Sequence, residues 1–415
     1  MKLSFQLALR YVFARKRAMA MSLIGIIFGI SFFIITQAQT SGFQKYFIKT
    51  ILGTNGAIRI SDRFQDFDNI VNKLSKDGNI QFRFKNREGA VYKEGIDYPN
   101  KIRNSLSNYP SIIGISEVFE DFAIMETKSR RQNVHIHGIE ISDHLLVSDL
   151  RNQITKGSIS TFSSDQMGIF IGTRIAERLN LQIEDRVNIV GKNRSFQLRV
   201  SGIFETGVSD IDKKRVYISL PTARSLAGKK YGGSILQINI SDPSQATYLA
   251  TQIQNTIGHR TVSWQEREKV WLDVFKALRL SSAITVSTIL LLSGLGMFNV
   301  FAIMVIEKTR DIAILRSIGF YKKDISAIFL WQGLIVLSAG IAGGILFGAL
   351  GTYLISRIPM QIRGIFKSDN FIVNWDLSHY IWAILIATLF VGIASWIPAR
   401  KASNIQPAKI IRETI

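Results

Sequence analysis

The 415-residue chain contains no cysteine and only seven prolines. Without cysteine it has no disulfides, no thiolate nucleophile and no Cys-ligated zinc or iron–sulfur site. Gly-x-Ser-x-Gly and His-Glu-x-x-His motifs are also missing. The stretch Ala227-Gly228-Lys229-Lys230 lacks the upstream glycine and the following Ser or Thr of a phosphate-binding P-loop. We therefore predict no catalytic residues and no ATPase activity in this chain alone.

Histidines are scarce, and only one pair is close in sequence. His135 and His137 lie two residues apart, so in a strand they share one face. They are conceivable metal ligands, but no third ligand is recognisable nearby, and histidines on a strand surface are the simpler interpretation. We predict no metal site and no cofactor bound by this chain.

The net charge of +20 invites a comparison with nucleic-acid-binding proteins. Residues 41–277, however, contain 33 Lys and Arg against 25 Asp and Glu, a mild excess of 8. Much of the remaining positive charge flanks apolar segments, where membrane topology explains it. We therefore predict membrane lipid, and not nucleic acid, as a partner.

Four segments contain a charge-free run long enough to cross a bilayer core of about 30 Å. The first resembles a signal peptide because basic residues precede it, but its apolar run is too long and has no convincing cleavage site. Pro398 is expected to end the fourth. The predicted spans are residues 19–40, 278–306, 326–357 and 379–398. The third carries glycines at spacings that permit close helix approach, namely Gly340, Gly343, Gly344, Gly348 and Gly351.

Basic residues in the short connections predict the orientation of these spans. They are concentrated in the N-terminal arm (1–18), the connection 307–325 and the tail (399–415), whereas the loop 358–378 holds only Arg363 and Lys367. The positive-inside rule places the arm, the connection and the tail in the cytoplasm, and residues 41–277 outside.

Residues 41–277 read as a folded α+β domain, with two subdomains expected. Alternating apolar and polar residues predict strands at 133–138, 187–190, 195–203 and 216–218, and helical patterns cover 99–108, 172–179 and 221–226. Residues 61–98 are polar and rich in turn formers, and their role is not predicted. The predicted fold class is thus an α-helical membrane protein with four transmembrane helices and a large α+β domain between helices 1 and 2.

The connection Glu307–Asp324 (EKTRDIAILRSIGFYKKD) has apolar residues at helical spacing, Ile312, Leu315 and Ile318/Gly319. Two interpretations stay open. The segment is either an amphipathic helix lying on lipid headgroups, or a rigid knob that docks into a groove of a cytoplasmic partner.

Several motifs, spread along nearly the whole chain, resemble one family of membrane proteins. They are Ala8-Leu9-Arg10-Tyr11, Gly42-Phe43-Gln44, Phe204-Glu205-Thr206-Gly207, Pro221 with Leu226, Trp264-Gln265 with Leu278, Phe298-Asn299-Val300, Leu315-Arg316-x-x-Gly319, Ile328-Phe329, Gln332-Gly333, Pro398-Ala399-Arg400-Lys401-Ala402 and Pro407-Ala408. The chain resembles the LolC and LolE permease subunits of the lipoprotein-releasing ABC transporter, within the wider MacB/FtsX-like family.

This resemblance implies a multi-pass protein of the bacterial inner membrane with a periplasmic domain at 41–277. It implies a complex of two permease subunits, a second copy or a paralogue, with a cytoplasmic ABC ATPase dimer that binds ATP and Mg. Lipoproteins would be the substrates and a periplasmic carrier a further partner. In LolC-like subunits a hook between the strands near 190 and 200 captures that carrier, but Val190–Ser195 leaves room here only for a tight hairpin, which is more LolE-like.

Two sets of residues follow as candidates. The ATPase-coupling set is Glu307, Arg310, Asp311, Ile312, Leu315, Arg316 and Gly319, with Ile312, Leu315 and Gly319 seated in the ATPase. An apolar wall that would receive acyl chains is Phe32, Phe33, Ile34, Ile284 and Val286, for which ordinary lipid-facing surface is the alternative. Competing functions are a MacB- or FtsX-like permease that drives efflux or activates a periplasmic hydrolase, and a membrane receptor.

Overall fold

The computed structural model describes residues 2–14, 16–63, 95–96, 98–106, 109–192, 194–229, 233–359 and 370–405. The chain divides into two compact units. The helical unit comprises Met1–Lys45, Asp273–Met360 and Asn370–Ile415, and the sheet unit comprises Tyr46–Leu272 and Gln361–Asp369. The predicted motif Pro407-Ala408 and the loop residues Arg363 and Lys367 lie outside the described residues.

The helices and strands are named in chain order. The α-helices are α1 (Lys2–Ala14), α2 (Lys16–Asn55), α3 (Pro99–Leu106), α4 (Ile141–Val147), α5 (Leu150–Gln153), α6 (Ile159–Ser164), α7 (Thr173–Leu179), α8 (Ser209–Asp212), α9 (Leu220–Ala227), α10 (Ala246–Ile257), α11 (Trp264–Arg267), α12 (Lys269–Glu307), α13 (Thr309–Ser317), α14 (Lys322–Ser356) and α15 (Leu377–Ser403), and a 3₁₀ turn covers Pro243–Gln245. The strands are β1 (Ile58–Arg63), β2 (Ile112–Glu126), β3 (Arg131–Ile139), β4 (Ile154–Gly157), β5 (Gly168–Gly172), β6 (Arg186–Val190), β7 (Ser195–Phe204), β8 (Arg215–Ser219), β9 (Ser234–Ile240) and β10 (His259–Ser263).

Within the part of the chain that the structure describes, four helices are long and apolar enough to cross a membrane: α2, α12, α14 and α15. Each contains one of the four predicted segments, so those segments are confirmed as helices. α2 and α12 extend well beyond the charge-free runs, because their outer turns also bury apolar side chains. Phe47 and Ile51 of α2 are buried, and the rings of Phe47 and Trp271 lie 5.4 Å apart.

The expectation that Pro398 ends the last helix is wrong, because α15 continues to Ser403 with Pro398 inside it. A proline in a helix interior removes one backbone hydrogen bond and costs about 3 kcal/mol. Burial after the proline offsets that cost: Ala399 and Ala402 are fully buried in the helical core, and the Ala399 carbonyl accepts a hydrogen bond from Ser326 Oγ at 3.2 Å.

The glycines of α14 let α2 approach closely, as their spacing predicted. A Cβ added at Gly344 would lie 2.5 Å from Ile30 Cγ2, and one at Gly351 would lie 2.5 Å from Ile35 Cδ1. Gly340, Gly343 and Gly348 meet other isoleucines of α2 in the same way. Ser31 Oγ also donates to the Gly344 carbonyl at 3.1 Å. α2 and α14 are therefore in direct contact through a row of glycines.

The ten strands among the described residues belong to one sheet with the order β10-β1-β9-β2-β3-β8-β5-β7-β4. β6 pairs with both β7 and β2, which closes β2, β3, β8, β5, β7 and β6 into a ring. The predicted strands are all confirmed, as are the predicted helices within the described residues. The expected two subdomains share this one sheet, but they have separate hydrophobic cores. These cores include one within the ring and one where β1 and β9 pack against α3 and α10.

Candidate functional site

The predicted coupling segment folds as the short helix α13, and its end explains the Leu-Arg-x-x-Gly motif. Phe320 N donates to the Leu315 carbonyl at 3.1 Å and Gly319 N to the Arg316 carbonyl at 3.3 Å. These are the two bonds of a Schellman cap, which requires a residue with positive φ after the helix. Gly319 supplies it with φ +112°. Gly319 therefore ends α13 and reverses the chain towards α14.

The face of α13 that was predicted to seat in the ATPase points instead into the protein. Ile312 and Ala313 are buried in the core of the helical unit, and Leu315 packs against that core. Periodicity identified the apolar stripe but not what the stripe packs against. A stripe that contacts a partner and one that contacts the chain's own helices have the same sequence pattern. The anchor positions Ile312 and Leu315 are revised for this reason.

The outward face of α13 carries a different set of side chains. Arg310 is exposed, Ile314 is 46% exposed and Ile318 73% exposed, at the helical spacing of four residues. Ile314 and Ile318 are therefore exposed apolar side chains, outside the apolar spans, that are free for contact with a partner. Ile318 was already part of the predicted stripe, and the signal that could have found Ile314 is its apolar side chain four residues before Ile318.

The remaining predicted coupling residues have local partners. Asp311 accepts a hydrogen bond from Lys308 Nζ at 2.8 Å, which raises the pKa of Lys308. Arg316 Nη1 donates to the Phe320 carbonyl at 3.4 Å and so supports the cap. Glu307 is the exposed last residue of α12.

The N-terminal helix α1 packs against the same core. Ala8 is fully buried, the rings of Phe5 and Trp331 meet edge to face at 5.4 Å, and Lys308 Nζ lies 5.6 Å from the centre of the Tyr11 ring. The Ala-Leu-Arg-Tyr motif thus attaches α1 to α14 and to the start of the coupling segment.

The five residues of the predicted apolar wall do not share one exposed surface. Phe33, Ile34 and Val286 are buried in the helical core, whereas Phe32 and Ile284 are exposed. The exposed stripe of α2 is formed by Met21, Ile24, Phe28 and Phe32, at spacings of three and four residues. The rings of Phe28 and Phe32 stack at 6.0 Å. Of this stripe, sequence reasoning found only Phe32, because the span has no charged residue to mark which face is exposed.

The Gly-Phe-Gln motif joins α2 to other parts of the helical unit. A Cβ on Gly42 would lie 2.7 Å from the Ile372 carbonyl oxygen, and the rings of Phe43 and Phe371 meet at 5.8 Å. Gln44 accepts a hydrogen bond from Arg279 of α12.

Further polar contacts surround this motif. Ser41 Oγ lies 2.9 Å from His379 Nε2, Lys45 Nζ donates to Asn374 Oδ1 at 3.0 Å, and Gln37 Nε2 donates to Ser282 Oγ at 2.9 Å. These bonds link the second half of α2 to α12, to α15 and to the residues just before α15.

The histidines of the sheet unit are structural in character. His137 is buried beside Glu120, with Nδ1 3.7 Å from a carboxylate oxygen, so the interpretation as two surface histidines is wrong for this residue. His135 packs its ring against Phe122 at 4.3 Å. Among the described residues, no group of three His, Cys, Asp or Glu could hold a metal ion.

Burial controls the protonation of these histidines. Desolvation lowers the pKa of His137 well below its usual value, and it lowers that of His144 to about 3. Ser116 Oγ lies 3.1 Å from His144 Nδ1. Both rings are therefore neutral at neutral pH.

Two further motifs close turns. Thr206 donates from its backbone N and its Oγ1 to Asp212 Oδ1, at 2.9 and 2.8 Å, and burial raises the pKa of Asp212. Trp264 Nε1 and Gln265 Nε2 both donate to the Pro243 carbonyl, at 2.8 and 3.1 Å. The Phe-Glu-Thr-Gly and Trp-Gln motifs thus have structural roles.

The tight hairpin predicted at 190–195 is confirmed. Val190 pairs directly with Ser195, and Gly191 N donates to the Arg194 carbonyl at 2.9 Å. Four residues connect the two strands, which leaves no protruding hook at this position.

Comparison with known proteins supports the motif analysis. The MacB-like periplasmic core domain family matches residues 19–256, more than half of the chain, and the FtsX-like permease C-terminal family matches residues 283–407. The lipoprotein-releasing system transmembrane protein LolC of Xylella fastidiosa is 23% identical over 99% of this chain and 98% of its own length. LolE of Haemophilus influenzae is 23% identical over 76% of this chain and 81% of its own.

The macrolide export ATP-binding/permease protein MacB of Acinetobacter baylyi is 24% identical over 99% of this chain. The chain spans 59% of the length of that protein. The protein belongs to the MacB/FtsX-like family of ABC-transporter permeases. Within that family, LolC is similar to this chain along nearly the whole length of both proteins.

Proposed function

We propose that this chain is the permease subunit of an ABC transporter that releases lipoproteins from the outer leaflet of the inner membrane to a periplasmic carrier. The observation that carries the proposal is the match to LolC, which spans 99% of this chain and 98% of LolC. The layout proposed from the basic flanks has both termini and 307–325 in the cytoplasm, with 41–277 and 358–378 in the periplasm.

The proposed partners follow from that role. A separate ATPase dimer binds ATP and Mg, a second permease subunit completes the pore, and this chain performs no chemical step. The short hairpin at 190–195 supports a division of labour in which the other permease subunit captures the carrier.

In the proposed mechanism, closure of the ATPases pushes on α13. The core that buries Ile312 also holds residues of α2, α12 and α14, so movement of α13 is passed to the long helices. Extraction of acyl chains costs about 0.8 kcal/mol per buried CH₂, so several chains require an energy source. Phe32 of α2 and Ile284 of α12, the exposed residues of the predicted wall, lie in the outer halves of their spans and form the surface proposed to receive them.

A MacB- or FtsX-like function is the second candidate, favoured by the family match over residues 19–256. Such a permease transmits ATPase motion to a periplasmic adaptor or hydrolase. Copurification separates the candidates, because a lipoprotein is expected for the first and an adaptor or hydrolase for the second. A receptor would have no stable ATPase partner.

The first test asks whether the outward face of α13 binds the ATPase. Ile314→Asp combined with Ile318→Asp should weaken the complex by about 2 kcal/mol or more, since a carboxylate would replace each apolar anchor. Arg310→Ala should cost roughly 0–1 kcal/mol. We would measure copurification of the ATPase and release of labelled lipoprotein from proteoliposomes.

The matched control is Ile113→Asp, at an exposed isoleucine of β2 in the sheet unit. Leu315→Asp is unsuitable because it would disturb the chain's own core. Normal assembly and lipoprotein release by the double variant would remove α13 as the transmission element. Normal assembly without lipoprotein release by the unmodified complex would favour the second candidate.

A further inference from the structure

Four cationic residues lie near one contact between α14 and α15. Lys322 and Lys323 begin α14, and Arg400 and Lys401 lie near the end of α15. α14 and α15 run side by side, because Ser326 Oγ donates to the Ala399 carbonyl at 3.2 Å and a Cβ on Gly333 would lie 2.6 Å from Ser395 Cβ. Each cation is thus within about one helical turn, roughly 5 Å, of the same contact.

These cations have no acidic partner among the residues that the structure describes. All four side chains are exposed. The nearest carboxylate in the sequence, Asp324, accepts a hydrogen bond from Tyr321 N at 2.9 Å and caps α14. The N-terminal end of α14 adds the positive end of its helix dipole. The result is an uncompensated positive surface that favours an anion.

An aromatic side chain beside the cations indicates what kind of anion. Trp396 is 52% exposed on α15, and the Arg400 guanidinium lies 5.5 Å from the centre of its ring. Exposed tryptophans at the ends of apolar helices lie at the headgroup level of a membrane, with Arg and Lys reaching towards the phosphates. An aqueous protein surface would leave this ring in water.

We propose that Lys322, Lys323 and Arg400, flanked by Trp396, form a binding site for the phosphate of an anionic phospholipid headgroup. Arg400 offers a planar fork of donors that fits two phosphate oxygens, and the lysines add charge without demanding a fixed geometry. The inference depends on the membrane placement of α14 and α15, and not on which substrate the transporter moves.

The test measures lipid retention by the full chain, purified in detergent, by native mass spectrometry. Phosphatidylglycerol and phosphatidylcholine are added at equal concentration. We expect preferential retention of phosphatidylglycerol, reduced about a hundredfold in the triple variant Lys322→Gln, Lys323→Gln, Arg400→Gln, since each of the three cations near a membrane surface contributes roughly fivefold. Trp396→Leu should reduce retention of both lipids.

Two controls make the outcome specific. The triple variant Arg10→Gln, Lys16→Gln, Arg17→Gln removes the same charge from α1 and α2 and should retain phosphatidylglycerol. The charge-conserving variant Lys322→Arg, Lys323→Arg should also retain it, and an unchanged thermal unfolding midpoint would show that the folds are intact.

Three results would overturn the site: equal loss in both triple variants, no preference between the lipids, or displacement of the lipid by millimolar inorganic phosphate. Protection of Lys322 and Lys323 from amine labelling by the bound ATPase alone, without lipid, would assign this surface to a protein partner instead.

Discussion

The two units of this chain bury their apolar side chains in opposite ways. In the sheet unit, residues of the ring strands such as Ile136, Ile171 and Val200 point into closed cores, and alternation along each strand separates them from polar neighbours. In the helical unit, large apolar residues such as Leu292 and Leu346 are about two-thirds exposed, while glycine and alanine lie at the helix contacts.

The difference reflects the solvent of each unit. In water, contiguous exposed leucine and isoleucine would cause association. Lipid tails are as apolar as leucine, so helices in a membrane gain little by burying large side chains and associate through close packing of small ones. The contrast explains why the same residue types form the core of one unit and the outer surface of the other.

The largest loss of stability is expected when a glycine at the α2–α14 contact is replaced by a larger residue. Gly344→Leu would force a side chain into Ile30, where even a Cβ comes within 2.5 Å, and would separate Ser31 from the Gly344 carbonyl. We expect destabilisation of about 3 kcal/mol, at the upper end for overpacking. Unfolding of the full chain in detergent, followed by tryptophan fluorescence, would measure it.

The matched control for this substitution is Gly296→Leu on α12. Nothing lies within 4 Å of a Cβ added there, so the leucine should face lipid or detergent at little cost. If both variants lose the same stability, close helix approach is not what holds α2 to α14.

A lower pH should destabilise the sheet unit. The pKa of His144 is about 3 in the folded protein, below its value of about 6.5 in the unfolded chain, so the unfolded state binds the proton first. Stability is complete above pH 6.5 and falls as the pH is lowered towards 3. At pH 5 the loss from His144 is about 2 kcal/mol, and buried His137 acts in the same direction.

Denaturant unfolding at pH 7.5 and pH 5 would test this expectation. His144→Phe keeps a buried ring beside Tyr217 and should remove its share of the pH dependence. An unchanged pH dependence in His144→Phe would assign the acid sensitivity to other groups.

The comparison also explains what the sequence could and could not predict. Strands such as β3 and β7 were predicted because alternation marks one buried face, and the four long helices because their runs carry no charge. Which face of an apolar segment is buried was not predictable. Phe33 and Val286 are buried and Phe32 and Ile284 are exposed, although all four are apolar. Helix continuation through Pro398 and the burial of His137 depend on contacts with residues distant in sequence.

The smallest expected loss of stability follows from a substitution at Gly319, and the same substitution also tests function. Alanine meets no neighbour there, since nothing lies within 4 Å of an added Cβ, but a φ of +112° is strained for any residue with a side chain. Gly319→Ala should therefore cost only about 1–2 kcal/mol, all of it at the cap of α13.

Because this cap sets where α13 ends, the damage should appear in coupling before it appears in folding. We expect Gly319→Ala to assemble with the ATPase yet release lipoprotein more slowly per ATP hydrolysed. Gly392→Ala on α15, equally free of neighbours but helical, is the matched control and should behave like the unmodified protein. Full coupling in Gly319→Ala would mean that the Leu-Arg-x-x-Gly motif only terminates a helix, and that force passes to the long helices without a fixed geometry at the end of α13.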